Sequence, residues 1–174
     1  MVMRICFFFI VMLMLYSCSS SKDKEIKNQL NKLSSLENIF NQIDMNDFEK
    51  ACDGYDENMN LIKLHCLDSI SNNFVNSVNR YKIIKKSKDS FILNYQLLSK
   101  NLILEKTQLK FLKLDISNDL MPMDSIAFFL EKEKQNLNTI SDEMNNVISL
   151  YDEIKNTHDS LYLVIKELAK NKCY

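Results

Sequence analysis

Apolar residues recur every three or four positions along nearly the whole chain, the spacing of amphipathic helices. Ile26, Leu30, Leu33, Leu36, Phe40 and Ile43 define a first helix. Its stop is expected near Cys52-Asp53-Gly54, because glycine often ends a helix. Met59, Ile62, Cys66, Ile70, Phe74, Val78 and Tyr81 define a second. The polar run Lys85-Lys86-Ser87-Lys88-Asp89-Ser90 reads as a connection to a third helix, with Phe91, Tyr95, Leu98, Leu102, Leu109, Leu112 and Ile116 on one face. Ser117-Asn118-Asp119 then precedes Pro122, a residue suited to a helix's first turn.

The last helix carries the clearest pattern. Ile126, Leu130, Glu133, Leu137, Ile140, Met144, Val147, Tyr151, Ile154, His158, Leu161, Ile165 and Leu168 alternate steps of four and three. That is coiled-coil periodicity, interrupted in its apolar character only by Glu133 and His158. Beyond Val147 the flanking positions Ile148, Leu150, Tyr162, Val164 and Ala169 are apolar too, as expected where a helix touches two neighbours. At about 1.5 Å per residue this helix would run roughly 75 Å against roughly 40 Å for the earlier ones. It must overhang, bend or break, and Asn156-Thr157-His158-Asp159-Ser160 is the expected weak point.

Composition supports an all-α reading: the chain holds one glycine and one proline. Sheets and loop-rich folds need those residues at their turns. The expected architecture is an elongated antiparallel bundle of three to four helices with a long coiled-coil-like C-terminal helix. The net charge of −1 gives no attraction to nucleic acid.

The N-terminus has a different character. Arg4 precedes Ile5–Tyr16, an unbroken apolar block. It is shorter than the roughly 20 apolar residues that span a bilayer, and it suits the core of a secretory signal. It ends in Leu15-Tyr16-Ser17-Cys18, which resembles a bacterial lipobox. That resemblance implies a signal peptide over 1–17, a lipidated Cys18 with a short tether over 18–24, and one helical domain over 25–174. Acyl chains contribute about 0.8 kcal/mol per buried methylene, so several together anchor durably. The implied location is the cell envelope, with the outer membrane favoured by Ser19 and its face unassigned.

Candidate chemistry is sparse. No glycine loop for phosphate and no nucleophile with a base at readable spacing is present. No catalytic residue, cofactor or metal ligand is therefore assigned, and an enzyme is not expected. The two histidines, His65 and His158, have no partner at metal-binding spacing. His158 reads as a half-buried histidine bonded to a neighbouring helix, or alternatively as a pH-sensitive packing switch. Cys52 and Cys66 would lie roughly 17 Å apart on a helix. A disulfide needs Cα atoms within about 7 Å. Cys66 reads as a small core residue, and Cys173 as one that can pair between molecules.

If the helices run up and down, the lipid end gathers Lys22, Lys24, Lys27, Arg80, Lys82, Lys85, Lys86, Lys88, Lys166, Lys170 and Lys172. Arg80, Lys82, Lys85, Lys86 and Lys88 are then the candidate membrane-proximal basic cluster, facing anionic headgroups. The far end gathers Asp44, Asp47, Glu49, Asp53, Asp56, Glu57, Asp115, Asp119 and Asp124.

Tyr55-Asp56-Glu57-Asn58-Met59 resembles a His-Asp-Glu-x-Met segment of small Bacteroidota lipoproteins labelled "viral A-type inclusion protein". The stretch from Ser125 to Lys134 is similar to that family's acidic-basic helix start. The resemblance implies a helical periplasmic or surface module of unassigned role. The expected function is that of a lipid-anchored, non-enzymatic interaction or scaffold module. Its partner, a protein or its own copy, would meet the last helix at Ile126, Leu130, Leu137 and Ile140. The alternatives are a small-ligand or metal-binding module near His65, Tyr55 and the acidic tip, and an immunity or exclusion lipoprotein.

Overall fold

The computed structural model describes residues 22–66 and 71–171. The expected leader 1–17, the expected anchor Cys18 and Cys173 lie outside them. The described residues form five helices and no strand: α1 (22–40), α2 (Met45–His65), α3 (Asn72–Tyr81), α4 (Ile83–Ser117) and α5 (Met123–Lys170). The expected all-α bundle with a long C-terminal helix is the fold. The expected weak point at Asn156–Ser160 is helical, and α5 runs unbroken from Met123 to Lys170.

Several boundaries differ from the expectation, each for a local reason; the second helix ends at His65, and α3 starts after Ser71, whose hydroxyl accepts from the Phe74 amide at 3.3 Å. The first helix stops at residue 40, well before Gly54. Asp44 starts a new one: its carboxylate accepts from the amides of Asn46 at 2.8 Å and Asp47 at 3.4 Å, filling donors that a helix start leaves open. Gly54 sits inside α2, buried. The run Lys85–Ser90 is no connection either, for it lies within α4. Lys82, in right-handed helical conformation, joins α3 to α4, and the amide of Lys86 bonds the Lys82 carbonyl at 3.2 Å.

The described residues fall into two compact units. Unit 1 takes them up to Asn38 together with Lys100–Asp142, and unit 2 takes Ile39–Ser99 with the residues from Glu143 onward. Thus α4 and α5 each contribute a stretch to both.

In unit 1 the core is Ile26, Leu33 and Leu36 of α1, Leu102, Leu109 and Leu112 of α4, and Ile126, Leu130, Leu137 and Ile140 of α5. α1 runs parallel to α5: Lys22 donates to the Met123 carbonyl at 2.9 Å, and Gln29 to the Leu130 carbonyl at 2.9 Å. In unit 2 Phe48 stacks near Phe91, with centroids 4.4 Å apart, and Phe40 near Tyr95 at 4.6 Å. Phe74, Tyr81, Ile84, Leu98, Met144, Val147, Ile154 and Ile165 are among the other buried residues of that core. Here α2 is parallel to α5, since Asp47 pairs with Lys155 and Glu57 with Lys166.

These directions correct the supposed charge separation. Lys22, expected at the basic end, lies beside Met123 and hence next to Asp124. Lys166, expected at the same end, is 2.8 Å from Glu57 of the supposed acidic end. Both signs occur together within each unit.

Candidate functional site

The four residues expected to form an interface are core. Ile126, Leu130, Leu137 and Ile140 are all buried in unit 1, against α1 and α4. The coiled-coil seam of α5 finds its partners within its own chain, so it offers nothing to dock on. The seam position Glu133 is buried with it and meets a second carboxyl, Glu105 of α4. Asn136 donates to Glu133 at 2.8 Å, while Glu105 Oε1 has no hydrogen-bond partner. Burial first, and then the charge and hydrogen bond of Glu133, push the Glu105 carboxyl up to about 7. Burial and the neighbouring carboxyl thus make Glu105 hold its proton to a higher pH than a free glutamate does. The pattern contained this signal: Glu105 sits three residues after Leu102 and four before Leu109, on the same face.

Unit 2 holds a polar centre where α2 meets α5. A Cβ at Gly54 would lie 2.5 Å from His158 Cε1 and 3.2 Å from Tyr162 Cδ2, so only glycine admits this approach. His158 stacks on Tyr162 with centroids 4.9 Å apart, and its Nδ1 is 3.4 Å from the Tyr81 hydroxyl. The half-buried histidine bonded to a neighbouring helix is thus present. Burial lowers its pKa below the ordinary 6.5. Burial also raises the Tyr81 phenol. Asn58, buried, donates to the Tyr162 carbonyl at 2.9 Å.

Cys52 is a free, buried thiol, and burial pushes its pKa up, which leaves it unreactive. Cys66 corrects the core-residue expectation. It is half-buried and disulfide-bonded, and not to Cys52. Among the described residues no group of three or more His, Cys, Asp or Glu side chains is placed to hold a metal ion, and no helix is long and apolar enough to cross a membrane.

Two surface features stand out. On α4 in unit 1, Ile103, Leu104, Phe111 and Leu114 are 64%, 50%, 63% and 55% exposed. At 100° per residue they share one arc of the helix, opposite the buried Leu102, Leu109 and Leu112. Lys110 and Lys113 run along one edge of that arc, and Gln108 with Asp115 along the other. In unit 2 the basic cluster lies on the end of α3, the Lys82 junction and the start of α4. Arg80, Lys82, Lys85 and Lys86 are exposed there and Lys88 is half-buried. Lys82 and Lys85 line a cleft of about 560 Å³ with Tyr55, Asp56, Met59, Asn60, Ile62, Lys63 and Val78. The basic residues were singled out from the sequence, but the α4 stripe and the cleft beside Lys82 and Lys85 were not, because a burial pattern passes over exposed residues. No family model, curated protein or solved structure matches this chain.

Proposed function

We propose that this protein is a lipid-anchored, non-enzymatic interaction module of the bacterial cell envelope, which docks a partner's helix on the outer face of α4. The observation that carries the reading is the exposed arc Ile103, Leu104, Phe111 and Leu114, set on a helix whose opposite side is fully packed. Scattered exposed apolar residues are ordinary, but a contiguous helical stripe is the feature that binds other helices.

The rim selects the partner. One edge is lined by Lys110 and Lys113, so the fitting occupant is an amphipathic helix with acidic residues along one side. A second copy fits poorly: antiparallel pairing sets lysines on lysines, and parallel pairing offers them Asp115 alone. A flat anionic bilayer would meet both edges alike, and only one is basic. The anchor rests on Leu15-Tyr16-Ser17-Cys18. The disulfide-bonded Cys66 supports an oxidising compartment such as the envelope.

Photo-crosslinking from position 107, at the centre of the stripe, tests the docking in intact cells. An adduct with an acidic-edged helix of another protein is expected, and it is lost in Leu104→Glu/Phe111→Glu while helicity and melting are unchanged. An adduct with the same chain or with phospholipid overturns it. Mass spectrometry of the N-terminal peptide tests the anchor: an acylated Cys18 is expected, and an unmodified Met1 refutes it.

A further inference from the structure

We infer that the unit 2 cleft between α2 and the α3–α4 junction binds an anionic amphiphile, a phosphate or carboxylate head on an aliphatic chain. The site is independent of whatever docks on α4. Its floor is apolar: Tyr55, Met59 and Ile62 project from α2 at helical spacing toward Val78 of α3. Its rim holds three lysines, Lys63, Lys82 and Lys85, against one carboxylate, Asp56. Among the described residues Lys63 and Lys85 make no ion pair or hydrogen bond. Lys82 reaches only Asn79 Oδ1, at 3.4 Å. The three ammonium groups are therefore available to an anion, beside apolar surface that a lone phosphate would leave unused.

Size agrees with this class. A volume of about 560 Å³ lies within the roughly 300–1,000 Å³ typical of small-molecule sites. A smaller recess of about 280 Å³, lined by Cys52, Ile84 and Lys88 among others, shares Tyr55, Asp56 and Lys85 with it. Lys85 thus stands between the two, where a head group gains from Lys82 and Lys85 while its chain lies over Met59, Ile62 and Val78; in the smaller recess Lys88 is offset by Asp89. The head supplies charge and the chain supplies burial. A neutral chain or a bare anion obtains only one of these.

The full chain in a neutral maltoside detergent is titrated calorimetrically with decyl phosphate, decanol and inorganic phosphate. Saturable binding of one decyl phosphate per chain is expected, about ten-fold or more tighter than either control. Lys82→Gln and Lys85→Gln should each weaken it about three- to ten-fold with the melting temperature unchanged. Asp56→Asn should tighten it, which keeps the test decisive should a lysine variant fold poorly. Flotation with phosphatidylglycerol vesicles, weakened by the same lysine changes, identifies a membrane lipid as the source. Binding in solution without flotation identifies a free amphiphile. Equal binding of decanol, or indifference to both lysine changes and to Asp56→Asn, overturns the inference.

Discussion

At Gly54 the absence of a Cβ decides how closely α2 and α5 pack, because the missing atom would sit 2.5 Å from the His158 ring. Gly54→Ala would gain about 1 kcal/mol of helix propensity. It would lose about 1–3 kcal/mol by overpacking, since His158 is held by the Tyr81 hydroxyl and by stacking on Tyr162. A net loss of about 1 kcal/mol is expected in urea unfolding. The sign should reverse in a His158→Ala background, where the space is free, and this cycle isolates the contact. A stabilised Gly54→Ala in the otherwise unchanged chain would show that the ring moves aside at no cost. The same residue shows what the sequence alone conveys. A glycine ends a helix or permits close approach for one physical reason, its missing side chain, and the pattern around Gly54 does not choose between them. His158 was legible as half-buried, since it interrupts an apolar seam. Its partner Tyr81 was not, because that pairing depends on how α3 lies against α5.

Among the elements, α5 was the most legible: twelve of its positions from Ile126 to Ile165 follow the predicted seam, and the buried ones among them face the core. Periodicity reports which side of a helix is apolar, and burial follows that side. Periodicity does not report whether the neighbour is another part of the same chain, so Ile126, Leu130, Leu137 and Ile140 read equally well as interface and as core. Helix ends depend on a few capping atoms and were less legible. The connection from α4 to α5 is an exception in place but not in detail: Ser117-Asn118-Asp119 and Pro122 marked where it falls, while its closing bonds were not legible. Leu120 N–H bonds the Asp115 carbonyl at 3.0 Å and Asp119 N–H the Ile116 carbonyl at 3.3 Å, the pair of bonds that closes a helix through a left-handed residue. That residue is Asp119, at φ 52°, where an L side chain is strained. Asp119→Gly should therefore stabilise the protein by about 0.5–1 kcal/mol, read as a rise in the urea midpoint. A loss would mean that the Asp119 side chain supports the turn. At the other kind of boundary, Asp44→Ala should cost about 1 kcal/mol, because the amides of Asn46 and Asp47 lose their acceptor. No loss in thermal unfolding would show that water replaces the carboxylate fully.

For the molecule as a whole, the two units carry titratable groups whose stability effects oppose each other between about pH 5 and 6.5. In unit 1 the folded-state pKa of Glu105 is raised from 4.5 to about 7. Between those values the folded chain binds a proton that the unfolded chain has released, so stability falls as pH rises. It then stays at the lower level above about 7. The full effect is on the order of 3 kcal/mol. In unit 2 the folded-state pKa of His158 is lowered from 6.5 by burial. Below 6.5 the unfolded chain takes up a proton that the folded chain resists, so stability falls as pH drops. Hydrogen bonds from Lys155 to Asp47, from Lys166 to Glu57 and from Gln135 and Lys134 to Glu131 hold these carboxyls below the usual range, and their influence begins only under about pH 5. Hydrogen exchange followed by mass spectrometry, corrected for the intrinsic pH dependence of the amides, separates the two. Peptides from 100–117 and 123–142 should lose protection from pH 5 to 7. Peptides from 45–65 and 145–165 should gain it as the pH rises toward 6.5. Glu105→Gln should abolish the first trend and leave the second, since its amide keeps the shape but cannot ionise. Parallel trends in both units would mean that they open as one cooperative body, and that neither buried group governs the stability of its own surroundings.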